Sequence, residues 1–192
     1  MTKHASREVR RQQILTALMQ VIARDGVAAV SVRSVAAQAG LSPSALRYHF
    51  STQESLLSEQ VGAGVAAAVR SPADFDPADP AGGLAAAIEQ FLPLTEQTQA
   101  PVKALYGTVV AGYTLPAVAA SVQDLYARTR SIITGWLADL GTSGVDGAID
   151  PLAVEEVMTL IDGLAMGLII GNLTADTARQ LVARRAAAIT NR

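Results

Sequence analysis

The segment GLSPSALRYHF, residues 40–50, gathers a serine, an arginine, a tyrosine and a histidine into a few positions. Ser42 can cap a short helix, and Pro43 suits its first position, where the missing N–H costs nothing. On that helix Leu46 and Phe50, at i and i+4, share one side. Ser44, Arg47 and Tyr48 fall on the opposite side, with Ala45 at its edge. Arginine and serine bond base acceptors, alanine meets a thymine methyl, and tyrosine reaches a phosphate or stacks. The chemistry these types and spacings offer is recognition of a DNA groove.

Bond-making chemistries find little support. The chain has no cysteine, and its only histidines are His4 and His49. Zinc needs about four ligands, so no metal site is expected. No G-x-S-x-G elbow presents a serine, and no G-x-x-x-x-G-K-[ST] loop cradles a phosphate. A catalytic set cannot be assembled, and no cofactor is implied. His49 has two open readings, packing beside Phe50 or bonding a phosphate. Asp162, inside an apolar helix, could cap, pair with a group across an interface, meet a polar ligand or be satisfied locally.

The elements that would carry this face are helices. Half of the 192 residues are hydrophobic but only 4% are aromatic, so the interior is built from many small side chains, which suits close helix packing. Ile14, Leu15, Leu18, Val21 and Ile22 recur at helical spacing over Ser6–Arg24, and Gly26 stops that helix. Ser31 caps a helix at Val32–Gln38, with Gly40 just beyond its end. This pair of short helices joined by a glycine turn is a helix-turn-helix. Ser51 or Thr52 caps a fourth helix running to about Arg70. SPADFDPADPAGG reads as a loop, and five helices follow at about 83–94, 99–113, 116–140, 152–171 and 175–190.

Charge separates the two parts. Residues 1–58 carry seven basic against three acidic side chains, or +4, in a chain of net charge −2, which leaves −6 for the remainder. A basic head on an acidic body fits a nucleic-acid-binding module joined to something else. The expected division is 1–58 and 59–192. The N-terminus lacks the apolar core of a signal peptide, and the most apolar run is short and contains Asp162, so a cytoplasmic protein without a membrane span is expected.

Residues from about Arg10 to Leu57 resemble the N-terminal domain of the TetR (tetracycline repressor) family of transcriptional regulators. The resemblance is carried by ILTALMQVIARDGVAAVSV, RSVAAQAGLSPSALRYHF and STQESLL in that order. Three positions depart from the common pattern: Ser44 stands where glycine is frequent, Arg47 where tyrosine is frequent, and Gln53 replaces a lysine that would contact phosphate. The resemblance implies an all-α fold of about nine helices. A three-helix DNA-binding domain would be joined through a connecting helix to a helical domain for ligand binding and dimerisation. The DNA-binding residues implied are Arg10, Arg11, Ser31, Arg33, Ser42, Ser44, Ala45, Arg47, Tyr48 and His49, the arginines of the first helix acting through phosphates.

For the body, the resemblance implies a small-molecule pocket and a homodimer held by the last two helices. Phe91, Tyr106, Tyr113 and Trp136 are the candidate pocket walls, for an effector that is mostly apolar. Lys103, Arg128 and Arg130 fall on polar faces, so no buried cation awaits an anion, and the effector is expected to be neutral or cationic. Met158, Ile161, Leu164, Leu168, Leu181 and Arg185 are the candidate dimer contacts, with Gly163, Ala165 and Gly167 allowing close approach. The reading is a ligand-responsive regulator, usually a repressor, on a near-palindromic double-stranded operator. A helical interaction module that has lost DNA binding is the alternative, and an enzyme a weaker one.

Overall fold

A computed structural model describes residues 3–64, 70–74, 76, 78–141 and 148–191. Its elements, in chain order, are α1 (Lys3–Asp25), a 3-10 turn (Val27–Ala29), α2 (Val32–Gln38), α3 (Pro43–Arg47), α4 (Gln53–Gly64), a 3-10 turn (Pro72–Asp74), α5 (Pro80–Glu89), α6 (Glu96–Ala111), α7 (Pro116–Asp139), α8 (Pro151–Ile170) and α9 (Ala175–Thr190). The fold is all-α. Residues 65–69, over which the fourth helix was expected to continue, lie outside the described residues. Among the described residues no helix is long and apolar enough to cross a membrane.

The chain forms two compact units. The first comprises Met1–Gly64 and Lys103–Leu125, the second Val65–Val102 and Tyr126–Arg192. In the first, Ile14, Leu18 and Val21, at i, i+4 and i+7, are fully buried with Val35, Leu46, Leu56 and Leu57. Ala104 of α6 and Val118 of α7 complete that core. Gly107 of α6 meets the turn after α1 so closely that a Cβ there would lie 2.7 Å from Val27 Cγ2.

Local chemistry explains the short helices of this unit. Ser34 N–H donates to Ser31 Oγ at 3.0 Å, and Ser31 N–H donates back to Ser34 Oγ at 2.9 Å, a closed capping box on α2. At the other end Gly40 takes φ +66°. Leu41 N–H donates to Ala36 O and Gly40 N–H to Ala37 O, so the last carbonyls of α2 are satisfied by the turn itself. Ser42 Oγ then accepts from Ala45 N–H at 3.2 Å to open α3. Thr52 and Ser55 form a second reciprocal box at the start of α4.

In the second unit α5 packs along α9, and α9 also packs on α8. Leu84 and Ile88 of α5, Val157, Ile161 and Ala165 of α8, and Ala178, Val182 and Ala186 of α9 bury one stripe each. Tyr126 O–H of α7 donates to Asp162 Oδ2 of α8 at 2.9 Å, so that carboxylate is satisfied within the chain. Arg130 of α7 and Glu155 of α8 form an ion pair nearby.

Several boundaries differ from expectation, three of them for identifiable reasons. Helix α5 begins at Pro80, inside the stretch read as a loop, because Asp79 caps it: Gly82 N–H donates to Asp79 Oδ1 at 2.8 Å. It ends before Leu94 because Pro93 disfavours helix at the residue ahead of it. Helix α6 begins at Glu96, upstream of the internal Pro101, since Thr95 Oγ1 accepts from Thr98 N–H and caps the start.

Candidate nucleic-acid interface

Helix α3 is only five residues long, so its orientation is set by what it buries. Leu46 is fully buried and Phe50, just past its end, nearly so. With both anchors inside, Ser44, Ala45 and Arg47 are exposed and Tyr48 is 73% exposed. The structure brings these four to one outward surface. Ser42 and Ser44 share a hydroxyl contact at 3.0 Å, which leaves each with further hydrogen-bonding capacity.

The other expected DNA contacts divide into exposed and internally engaged groups. Arg33 on α2 is exposed. Arg10 is exposed, and its Nη1 donates to Gln13 Oε1 at 3.1 Å, an exposed bond within one helix that a phosphate can displace. Ser31 is half-buried, with its hydroxyl engaged in the α2 cap. Arg11 is placed differently from expectation. Its Nε donates to Glu59 Oε1 at 2.7 Å, and its guanidinium lies 4.8 Å from the centroid of the Phe50 ring. The Glu59 bond holds the Arg11 pKa above its ordinary value. A group so engaged joins α1 to α4 and to the end of α3.

His49 is half-buried, with its ring edge-on to Tyr48 at 5.3 Å. Burial, and then the fields of Arg7, Arg10 and Arg11, push its pKa below the ordinary histidine value. Arg7 is one of the seven basic residues of the head. In the structure its guanidinium lies 5.7 Å from the Tyr48 ring centroid. The signal available in the sequence was the i, i+4 spacing of Arg7 and Arg11 on one helix, which pairs with the aromatic run Tyr48-His49-Phe50 only once the helices are packed.

The candidate pocket walls fall in both units. Trp136 is buried and Phe91 partly so, with their rings in a T-shaped contact at 5.9 Å in the second unit. Tyr106 is buried and belongs to the first unit. Tyr113 is 90% exposed beyond the end of α6, where the chain turns before α7.

The candidate dimer residues also separate. Met158, Ile161 and Leu164 are buried within the chain, where they pack inside the second unit. Leu168 is half-buried, and Leu181 is 39% exposed. Arg185, half-buried, pairs with Glu156. An open groove of about 730 Å³ runs between α8 and α9, floored by Leu160, Gly163, Leu164, Leu181 and Ala188 and edged by Glu156 and Arg185. Among the described residues, no three His, Cys, Asp or Glu side chains gather where they could hold a metal ion.

Residues 14–59 match the model of bacterial regulatory proteins of the tetR family, and residues 80–191 match that of the C-terminal region of BetI-type transcriptional repressors. The HTH-type transcriptional regulator PksA of Bacillus subtilis (strain 168) is 47% identical over 57 residues, which is 30% of this chain and 28% of that protein. Among solved structures, a TetR-family transcriptional regulator from Rhodococcus sp. superposes with a TM-score of 0.81 at 22% identity, covering 94% of this chain and 98% of that one. The multidrug binding protein EbrR, complexed with ethidium, superposes with a TM-score of 0.65 at 22% identity, covering 92% and 98%. An outward-facing third helix on a capped helix-turn-helix, a basic head, and family matches over both parts of the sequence lead to one conclusion: the chain belongs to the TetR family of DNA-binding transcriptional regulators.

Proposed function

We propose that this chain works in the cytoplasm as a homodimeric repressor that reads a near-palindromic operator and is released by a small, mostly apolar effector. The observation that carries the operator reading is α3, where two buried anchors leave Ser44, Ala45, Arg47 and Tyr48 free to face a major groove. Two such helices in a dimer address successive grooves about 34–36 Å apart. Support for the dimer comes from the groove between α8 and α9, lined by the exposed Leu181, and from Met166 and Ile170, exposed elsewhere on α8, which together offer apolar area that a second copy would cover. Domains at 1–58 and 59–192 remain the functional division under this reading, one for DNA and one for effector and partner.

For the effector, the Phe91–Trp136 pair offers ring faces, and the chain's cations near the body helices are at the surface or paired with carboxylates, as Arg130 is with Glu155. A neutral or cationic molecule suits this better than an anion. A cation gains about 0.5–2 kcal/mol over a well-placed ring. No catalytic role is assigned to any residue.

A gel-shift against the DNA upstream of the protein's own coding sequence tests the central claim, because autoregulatory sites lie there in such a scheme. Specific retardation that random DNA does not compete supports it. Retardation indistinguishable from random DNA would favour the interaction-module alternative. Sedimentation of Leu181→Glu tests the interface: the charge enters the groove, and a dimer unchanged at micromolar concentration would place the contact elsewhere. A thermal-shift screen of lipophilic amines, neutral aromatics and aromatic acids tests the effector class, and stabilisation by acids alone would overturn it.

A further inference from the structure

Arg7 and Arg11 stand one turn apart on the same face of α1, and each lies against a ring from the end of α3. Arg11 sits over Phe50 at 4.8 Å, and Arg7 over Tyr48 at 5.7 Å. The two contacts differ in what surrounds them. Phe50 is buried and Arg11 is bonded to Glu59, so that pair is internal. Tyr48 is 73% exposed, and Arg7, also exposed, has no carboxylate partner among the described residues. The outer pair therefore keeps an unneutralised charge and an accessible phenol together at the end of the helix that faces the operator.

We propose that Arg7 is a positioning residue for operator reading. Its guanidinium on one side, with the His49 ring edge-on at 5.3 Å, fixes the ring of Tyr48 in one orientation. An exposed tyrosine at a helix end otherwise samples several rotamers, and ordering it on binding costs conformational entropy. Arg7 removes that cost before DNA arrives, and the first turns of α1 become part of the operator-reading surface. Arg7 lies upstream of the residues that match the family model, which begins at 14. The inference rests on α3 being the operator-reading helix.

The test is a double-substitution cycle on Arg7 and Tyr48, read by operator affinity, with ring-proton shifts of Tyr48 in the free protein as an independent readout. Arg7→Ala should weaken specific binding about two- to fivefold beyond what one lost phosphate contact accounts for, and Arg7→Lys should recover part of it. In a Tyr48→Leu background the further loss on Arg7→Ala should shrink to the sequence-independent, salt-dependent part. Without DNA, Arg7→Ala should move the Tyr48 ring resonances, and Arg10→Ala should leave them in place. Equal losses in both backgrounds, or unmoved resonances in Arg7→Ala, would overturn the positioning role. Absence of specific binding by the unmodified protein would instead refute the operator reading, and the resonances still report on the Arg7–Tyr48 contact in that case.

Discussion

Replacing Arg11 by alanine should cost folding stability, and replacing its neighbour Arg10 should cost DNA affinity. The two guanidiniums are adjacent in sequence but differ in partners. The Arg11–Glu59 pair links residues 48 apart, with side chains 35% and 33% exposed. Solvent at that exposure limits an ion pair to about 0.2–1 kcal/mol. The contact with the Phe50 ring adds about 0.5–1 kcal/mol. Together they give about 1–2 kcal/mol. For a chain of this size, each kcal/mol lowers Tm by about 2–4 °C, so Arg11→Ala should melt about 2–8 °C lower by circular dichroism. Glu59→Gln should give a smaller loss, because the ring contact survives it. Arg10→Ala should leave Tm in place and reduce the salt dependence of operator binding by about 0.9 of slope, equally on every sequence. The reasoning fails if Arg11→Ala melts at the unmodified temperature and lowers the salt slope instead. Arg11 would then be facing phosphate, and the bond to Glu59 would carry no weight in solution.

Gly107→Ala should destabilise the first unit, because its Cβ would lie 2.7 Å from Val27 Cγ2, well inside contact distance. Overpacking costs about 1–3 kcal/mol against roughly 1 kcal/mol gained in helix propensity, and adding Val27→Ala should restore stability; a more stable single variant would refute the contact. Burial, then Arg7, Arg10 and Arg11, push the His49 pKa down, so the folded protein takes up that proton at lower pH than an unfolded chain does. The unfolded state thus binds more protons near and below the ordinary histidine pKa of about 6.5, so stability is retained above that value and falls as pH drops through it. Urea midpoints in His49→Gln should lose this acid-side slope, and an unchanged slope would assign it to other groups.

How much of this was legible in the sequence follows from the range of the interactions. Helix α3 could be placed because every determinant lies within a few residues: the Ser42 cap, Pro43 at the first turn, and two apolar anchors four positions apart. The capping box at Ser31 and the turn at Gly40 are equally local, and α2 and α9 start and stop where their caps require. The start of α5 shows how a local signal is lost. Asp79-Pro80 is the same dipeptide as Asp150-Pro151, which opens α8, but it is followed after Ala81 by Gly82 and Gly83, which suggest a loop. Those glycines serve the cap, at least at Gly82, where a Cβ would lie 2.1 Å from the Asp79 carboxylate. What sequence could not supply is competition between distant partners. Whether an arginine on α1 faces a phosphate or a carboxylate depends on Glu59, dozens of residues away, and whether an aromatic walls a cavity or stands in solvent depends on packing that no spacing encodes. Charge type carried the expectation that α1 meets DNA. Only the fold tells which of its arginines are still free to do so: Arg11 is engaged by Glu59, Arg10 is held by a neutral amide on its own helix, and Arg7 rests on the one ring of α3 left open to solvent.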